Sequence, residues 1–466
     1  MKKDDNSLSV ATVKGGSAPS YFIEKPIFPN TVRDDFFKMM DDIDCQKFYE
    51  SANIPDYIYW DKLKYKIPKT AKFTQEQTWF FIAQSRKFSS TRTVIKTENG
   101  KFFRWTRLFS TDEALHTIDM FAGGRLFNKS DKLSNSKNQT YLSRGLIEEA
   151  IASSQLEGAH TTRKAAREML IQNRAPHNES EQMIVNNYKT ISAIQENYKD
   201  KKLDLDLLFE MHAMISDKTV SDTEQHRLRK DSDNIVVQGY IGAEEYVTHV
   251  PPTADFLNKN IQSLIDYAND EDEKNFTHPI IKAIFIHFWI GYLHPFTDGN
   301  GRLARALFYW YLLRKEYWSF MYLPISTIIK KAPNQYAMAY IYAEQDDLDI
   351  TYFYDFHIKK ILQAIKEFGD FLDEKIDENK LVEKNISSKY SLNDRQKQLI
   401  YYLISDAHPS VSIHSHTTLH NISRPTASKD LMTLVDADLL VGKRSGRIIK
   451  YFPTKKLLNE IGTAVD

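Results

Sequence analysis

Apolar residues recur at helical spacing along most of this chain. In 180–198 they fall at positions 183, 184, 188, 191 and 194, close to a 3.6-residue period, which predicts a helix. The run YLSRGLIEEAIASSQLEG (141–158) reads the same way and ends on Gly158, a residue suited to a helix C-cap. Further helices are predicted over 162–173, 203–215, 254–268, 301–315, 334–344 and 351–375. The segment 277–293 is apolar nearly all round, so it belongs inside a bundle. The helical period breaks at NIVVQGYIGAEEYVTHVPP, where β-rich runs at 234–237 and 246–250 flank a Gly-bearing middle. That is a hairpin, stopped by Pro251 and Pro252. Upstream, 31–130 is rich in aromatics, with a helix-like stretch at 73–86 and a strand-like one at 92–96. The polar residues 1–30 read as a loosely held arm, and 128–140 as a loop or boundary. Downstream, helices at 392–405, 417–422 and 423–440 precede two strands around Ser445–Gly446. Three helices and a hairpin give the order of a winged helix-turn-helix.

The expected fold class is therefore mainly α, in several units. A mostly helical region spans 1–140 without evident chemistry, and a helical core with its hairpin at about 234–250 spans 141–375. A charged segment, 376–389, continues the last helix or links it to a winged helix at 390–455, and 456–466 is a tail. Composition changes this picture little. The 466 residues carry 62 basic and 62 acidic side chains, so no global positive field marks a nucleic-acid coat. Cys45 is the single cysteine, which excludes an internal disulfide framework and a thiolate cluster. The opening MKKDDNSLSVATVKGG lacks the apolar run of a signal peptide, and no stretch has the length and polarity of a membrane span. The expectation is a soluble cytoplasmic protein with no membrane partner.

The chemistry concentrates in LHPFTDGNGRLAR, 293–305, between two apolar helices. Gly299 and Gly301 let the backbone turn so that successive N–H groups point one way. The helix starting near Asn300 adds its N-terminal donors, making an anion seat. Arg302 and Arg305, three apart, extend its reach to further oxygens. Asp298 suits a divalent cation that bridges phosphates, and His294 suits general-base work. Alone, each feature is commonplace: a turn, a helix terminus, a solvated face. Their joint presence in one turn points to a di- or triphosphate grip with a metal and a base. No GK[ST] follows, so this is not a Walker A loop.

This segment resembles the Fic family signature, HPF-x-[DE]-GNGR-x-x-R, at every fixed position. The resemblance implies a helical core with a β-hairpin flap. The implied reaction is transfer of AMP from Mg·ATP to a Ser, Thr or Tyr hydroxyl of a protein target, releasing diphosphate. It gives His294 the hydroxyl proton and Asp298 the Mg²⁺ between α- and β-phosphates. Gly299, Asn300 and Gly301 would cradle the phosphates, with Arg302 on the β- and Arg305 on the γ-phosphate. The flap would align an extended target segment by strand addition. Arg229, in TEQHRLRKDSDN, falls near an arginine of the family's pre-flap element, although the accompanying glycine is missing. Tyr336 is a candidate nucleoside contact, or else plain core.

A second likeness lies in SSQLEG, 153–158, which is similar to the family's inhibitory pattern [ST]-x-x-x-E-[GN]. It implies that a helix at about 145–158 presents Glu157 to Arg305 and fills the γ-phosphate position, with Ser153 steadying it. A carboxylate paired with that arginine competes with ATP. Among other histidines, His287 reads as core, His414, His416 and His420 as loop and surface, and His226 and His249 have no assigned role. Lys443, Arg444, Arg447 and Lys450 on the wing, with Arg424, Ser428 and Lys429 at the third helix, leave DNA binding through 390–455 open. Asp430, Asp436 and Asp438 dilute that charge. A homodimer is open as well. The alternatives to an autoinhibited protein adenylyltransferase are a DNA-binding transcriptional regulator with a nucleotide-sensing or silent core, and removal of AMP from a modified protein.

Overall fold

Two antiparallel helices, Pro279–Leu293 and Asn300–Arg314, form the axis of the molecule. The computed structural model describes residues 11–14, 18–29, 32–122, 135–241, 244–271, 276–382, 386, 389–404, 410–445 and 448–461. The first axial helix starts where His278 caps Ile280 N–H and Pro279 supplies a preset φ. Its apolar residues face neighbours on every side and are buried almost without exception. Around this pair stand Asn135–Leu156, Glu179–Ala193, Leu205–Ser216, Ala254–Ala268 and Thr351–Val382. Side-chain oxygens of Asn178, Asp204 and Thr253 cap the N-termini of Glu179–Ala193, Leu205–Ser216 and Ala254–Ala268.

Among the described residues, three sheets accompany the helices. Strands β1 (Ala11–Lys14), β4 (Ile235–Ile241) and β5 (Glu244–His249) form one, in the order β1-β4-β5. Strands β2 (Thr91–Lys96) and β3 (Phe102–Trp105) form the second, and β6 (Leu440–Ser445) with β7 (Ile448–Pro453) the third. All strand pairs are antiparallel.

One continuous apolar cluster runs from Ile23 to Ala364, so the N-terminal helices share their core with the axial pair. Arg86 joins the two parts. It is buried, donates to Asn53 Oδ1, Ile58 O, Ala52 O and Tyr352 Oη, and lies 3.7 Å over the Tyr57 ring. The arm is held more firmly than its polarity suggests: Ile23 is buried, and Tyr21 and Ile23 exchange bonds with Gln345. The expected loop at 128–140 lies partly outside the described residues, but from Asn135 onward the chain is helical. The helix begun at Thr351 runs on to Val382.

A second cluster, Ile386 to Leu457, belongs to the C-terminal residues. A third is shared. Leu419 packs with Ile147, Ile151, Ala166, Met169, Leu170, Ile171 and Ile184, seating the helix Ile413–His420 on Asn135–Leu156. The helix predicted at 417–422 therefore starts earlier, and two histidines expected at the surface are interior. His416 and His420 lie one turn apart on its buried face, and His416 Nε2 is 3.3 Å from Asp430 Oδ2. Asp430 also accepts from Arg395 and Asn393, so its charge is spent inside the unit, and its carboxyl is held well below the usual range by His416 and Arg395 against its own burial. Among the described residues no helix is long and apolar enough to cross a membrane.

Burial of imidazoles gives a testable consequence. His212, His287, His294, His357 and His420 all have pKa values depressed chiefly by desolvation, to about 3 for His294, His357 and His420. The unfolded chain binds their protons at about pH 6.5, so between there and pH 3 it holds more protons than the native state. Stability contributed by these groups is therefore lost as pH falls through that window. We expect His357→Phe, which keeps a ring in place, to lose less melting temperature than wild type between pH 7 and pH 4.5. Equal losses in calorimetry would contradict the assignment.

Candidate active site

The axial turn is built by its own polar groups. His294 ends the first helix in left-handed geometry, φ 47°, with its N–H still bonded to Ile290 O at 2.8 Å. For an L-residue this conformation costs roughly 1–2 kcal/mol, so the surroundings must hold it. Arg229 does so. Its buried guanidinium donates to the carbonyls of Leu293, His294 and Pro252, and its own N–H bonds Pro295 O. Asn300 then staples the loop, accepting from Phe296 N–H and donating to Phe296 O, both at 2.9 Å. Phe296 stacks on His212, centroids 3.6 Å apart, and His212 Nε2 reaches Asp298 O at 2.9 Å.

Gly299 takes φ 81° as N-cap of the second helix. The first intrahelical bond is Leu303 N–H to Gly299 O, which leaves the N–H groups of Asn300, Gly301 and Arg302 as the free donors of a helix start. A Cβ at Gly301 would lie 2.2 Å from Glu157 Oε1, so the bare Cα lets a carboxylate rest on that end. The carboxylate also meets Arg305, whose Nη2 donates to Glu157 Oε1 at 2.9 Å and to Ser153 O, while Nε donates to Ser153 Oγ at 2.7 Å. Arg305 is buried, and its Nη1 has no hydrogen-bond partner.

The expected residues separate into two groups. His294, Gly301, Glu157 and Tyr336 line one cavity, together with Val237, Thr248 and His249 of the hairpin and Tyr340, Ile341 and Glu344. Its volume is 70 Å³, far below the ~300–1,000 Å³ of an open ligand site. The other motif residues serve the turn. The Asn300 amide is occupied by Phe296, and fully buried Arg302 donates to Ile215 O at 3.0 Å and stands 3.4 Å from Asp298 Oδ2. Asp298 keeps a 44% exposed side chain, with Oδ1 accepting from Gly299 N–H. Tyr336 is both wall and core, its hydroxyl 2.9 Å from His287 Nε2. A larger hollow of 780 Å³, between β2–β3 and Pro279–Leu293, shares no lining residue with this cavity.

Burial and the nearby His249 push His294 down to about 3, so its imidazole is neutral at physiological pH. His294 Nδ1 lies 3.3 Å from Gly291 O, which favours the proton on that nitrogen. His249 was not assigned by its sequence context. Nδ1 lies 2.8 Å from Glu344 Oε2 and Nε2 2.9 Å from Tyr292 O. With acceptors on both ring nitrogens, and Glu344 outweighing burial, its pKa is raised. Glu344 stands 95 residues away, so no local pattern could have signalled the pair.

Known proteins bear on this site in one stretch. Residues 202–312 match the Fic/DOC family. A protein adenylyltransferase Fic from Nematostella vectensis is 42% identical over 66 residues, 14% of this chain and 15% of that protein. The protein adenylyltransferase fic-1 of Caenorhabditis elegans is 28% identical over 116 residues, 25% and 20% of the two. The matched stretch thus spans only a fifth or less of these relatives. Among solved structures, a Fic family protein from Desulfovibrio desulfuricans G20 aligns over 73% of this chain and 96% of its own at 20% identity, TM-score 0.43. Fic-1 from C. elegans aligns over 74% and 99% at 13% identity, TM-score 0.44. The turn from His294 to Arg305 lies inside the stretch, 202–312, that matches the Fic/DOC family.

Proposed function

We propose that this protein transfers AMP from ATP to a hydroxyl of a protein acceptor, and that Glu157 holds the site closed. One observation carries the reading: a neutral imidazole, a helix N-terminus and a carboxylate held on Arg305 line one small cavity. The relatives named adenylyltransferases support it.

In this reading the N–H groups at Asn300, Gly301 and Arg302 receive phosphate oxygens, and Arg305 receives the γ-phosphate once Glu157 leaves it. His294 Nε2 takes the proton of the acceptor hydroxyl. The hydroxyl oxygen bonds the α-phosphorus as its bond to diphosphate breaks. The donor set fits Mg²⁺. Asp298 offers a half-exposed carboxylate, and among the described residues no group of three His, Cys, Asp or Glu forms a protein cage, which suits an ion held by one carboxylate and substrate phosphates. Bound there, Mg²⁺ would neutralise phosphate charge.

The domain reading extends this. The core at 141–375 is followed by a winged helix at 390–455, supported by the helices Asp394–Ile404, Ile413–His420 and Arg424–Asp436 and the β6–β7 hairpin. With Asp430 neutralised internally, Lys443 and Lys450, paired across the wing, face less opposing charge. That favours contact with DNA phosphates as a second property.

With labelled ATP and Mg²⁺, we expect weak protein labelling by wild type and none by Glu157→Gly combined with His294→Ala. Glu157→Gly alone should label on the order of 10- to 100-fold more, the equivalent of one charge-assisted hydrogen bond of ~1.5–3 kcal/mol. Equal labelling by all three proteins would refute the mechanism. For the winged helix, DNA retention by the full chain in a gel-shift series should fall steeply with salt and weaken in Lys443→Glu. Salt-independent binding, or none at low salt, would remove that reading.

A further inference from the structure

Both edges of the β4–β5 hairpin are occupied by the chain's own N-terminal arm. On one side β1 runs antiparallel to β4, with Ala11 opposite Gln238, Thr12 opposite Val237, Val13 opposite Val236 and Lys14 opposite Ile235. On the other side Val247 N–H donates to Pro19 O at 2.9 Å and Tyr21 N–H to Val247 O at 2.8 Å. A hairpin with open edges would present unpaired N–H and C=O groups to any extended segment. Here none of those two stretches is open.

The β5 side is fastened by side chains. Tyr21 sets its ring edge on Tyr246, centroids 5.6 Å apart, and Gln345 both donates to Tyr21 O and accepts from Ile23 N–H. Glu24 Oε1 accepts from Trp60 Nε1 and Lys64. The β4 side is a four-residue ladder. It lies one strand spacing, ~4.8 Å, from Val237, and Val237, with its cross-strand partner His249, lines the cavity that contains His294.

We infer that β1 is a resident stand-in for an extended segment of the protein acceptor, which reaches the hairpin by displacing residues 11–14 from the β4 edge. This rests on the proposed transfer reaction and adds a second closure to it. Glu157 blocks the nucleotide side, and β1 blocks the acceptor side. The partner is defined by its chemistry: a hydroxyl-bearing segment without regular structure, paired through its backbone, with little demand on side chains along that edge. Residues 19–21, tied to Gln345, remain in place and keep the hairpin supported while β1 exchanges.

The test separates pairing from catalysis. Two proteins carry Glu157→Gly: one lacks residues 1–16, and the other is full length with Thr12→Pro and Val13→Pro. Adjacent residues of an antiparallel strand alternate in direction, so the double proline removes a ladder donor whichever phase applies. A fluorescent peptide of residues 7–18 should bind the truncated chain and not the full-length Glu157→Gly parent, and the peptide with both prolines should bind neither. With casein as an unfolded hydroxyl-rich acceptor, both variants should take label from ATP several-fold faster than the parent. Added peptide should return the truncated chain to the parent rate. Equal peptide binding to parent and truncated chains, or binding to neither, overturns the inference. So does casein labelling that ignores the arm while Glu157→Gly remains active. If Glu157→Gly is itself inert, the transfer reading fails, and peptide binding alone decides whether β1 holds an exchangeable edge.

Discussion

A guanidinium inside an apolar bundle must find acceptors or unmake its surroundings, and Arg305 imposes that demand here. It is fully enclosed, its charge is sustained by Glu157 and Glu149 against the cost of burial, and its free Nη1 shows that the acceptors present do not exhaust it. Ser153 and Glu157 occupy the other positions of the fork. The helix Asn135–Leu156 is therefore positioned by more than shape. Glu149, two turns before Glu157, is bonded to Ser326 N–H and the Tyr309 hydroxyl. A ligand carrying anionic oxygens would meet the same demand, and in the proposed reaction it would contend with Glu157 for Arg305.

How much of this was readable beforehand depends on sequence distance. The turn could be located because His294 through Arg305 are contiguous in the sequence. Glu157, singled out by a short pattern, does meet Arg305. What escaped was assembled from afar. Arg229 was noticed only for its position, whereas its work is to hold three carbonyls around the left-handed His294. The side chains of Asn300 and Arg302, which the family likeness places at phosphates, also bond Phe296 and Ile215 O, because a tight turn between buried helices must satisfy its own backbone.

The same reasoning applies to the ends of the chain. Residues 11–14 have no amphipathic pattern long enough to predict a strand, and only the exposed edge of β4 makes them one. His416, His420 and Asp430 looked like solvated polar residues because each is judged polar one at a time. The bonds of Asp430 to Arg395 and to His416, across three helices, are what admit that carboxylate and imidazole to the interior. In both places local propensity was overruled by a partner elsewhere in the chain.

The mounting of Glu157 carries one more consequence. The rod that bears it ends at Leu156, and the residue itself sits in a turn closed by Glu157 N–H to Ser154 O and released by Gly158 at φ 92°. The rod is bolted on one flank through Glu149 and on the other through Leu419. A side chain set on the tip of a fixed beam can swing without moving the beam. A departure of Glu157 from Arg305 would be a matter of a side chain and one hinge, on the timescale of loop motions rather than of helix undocking, and the scaffold around it would have no need to loosen.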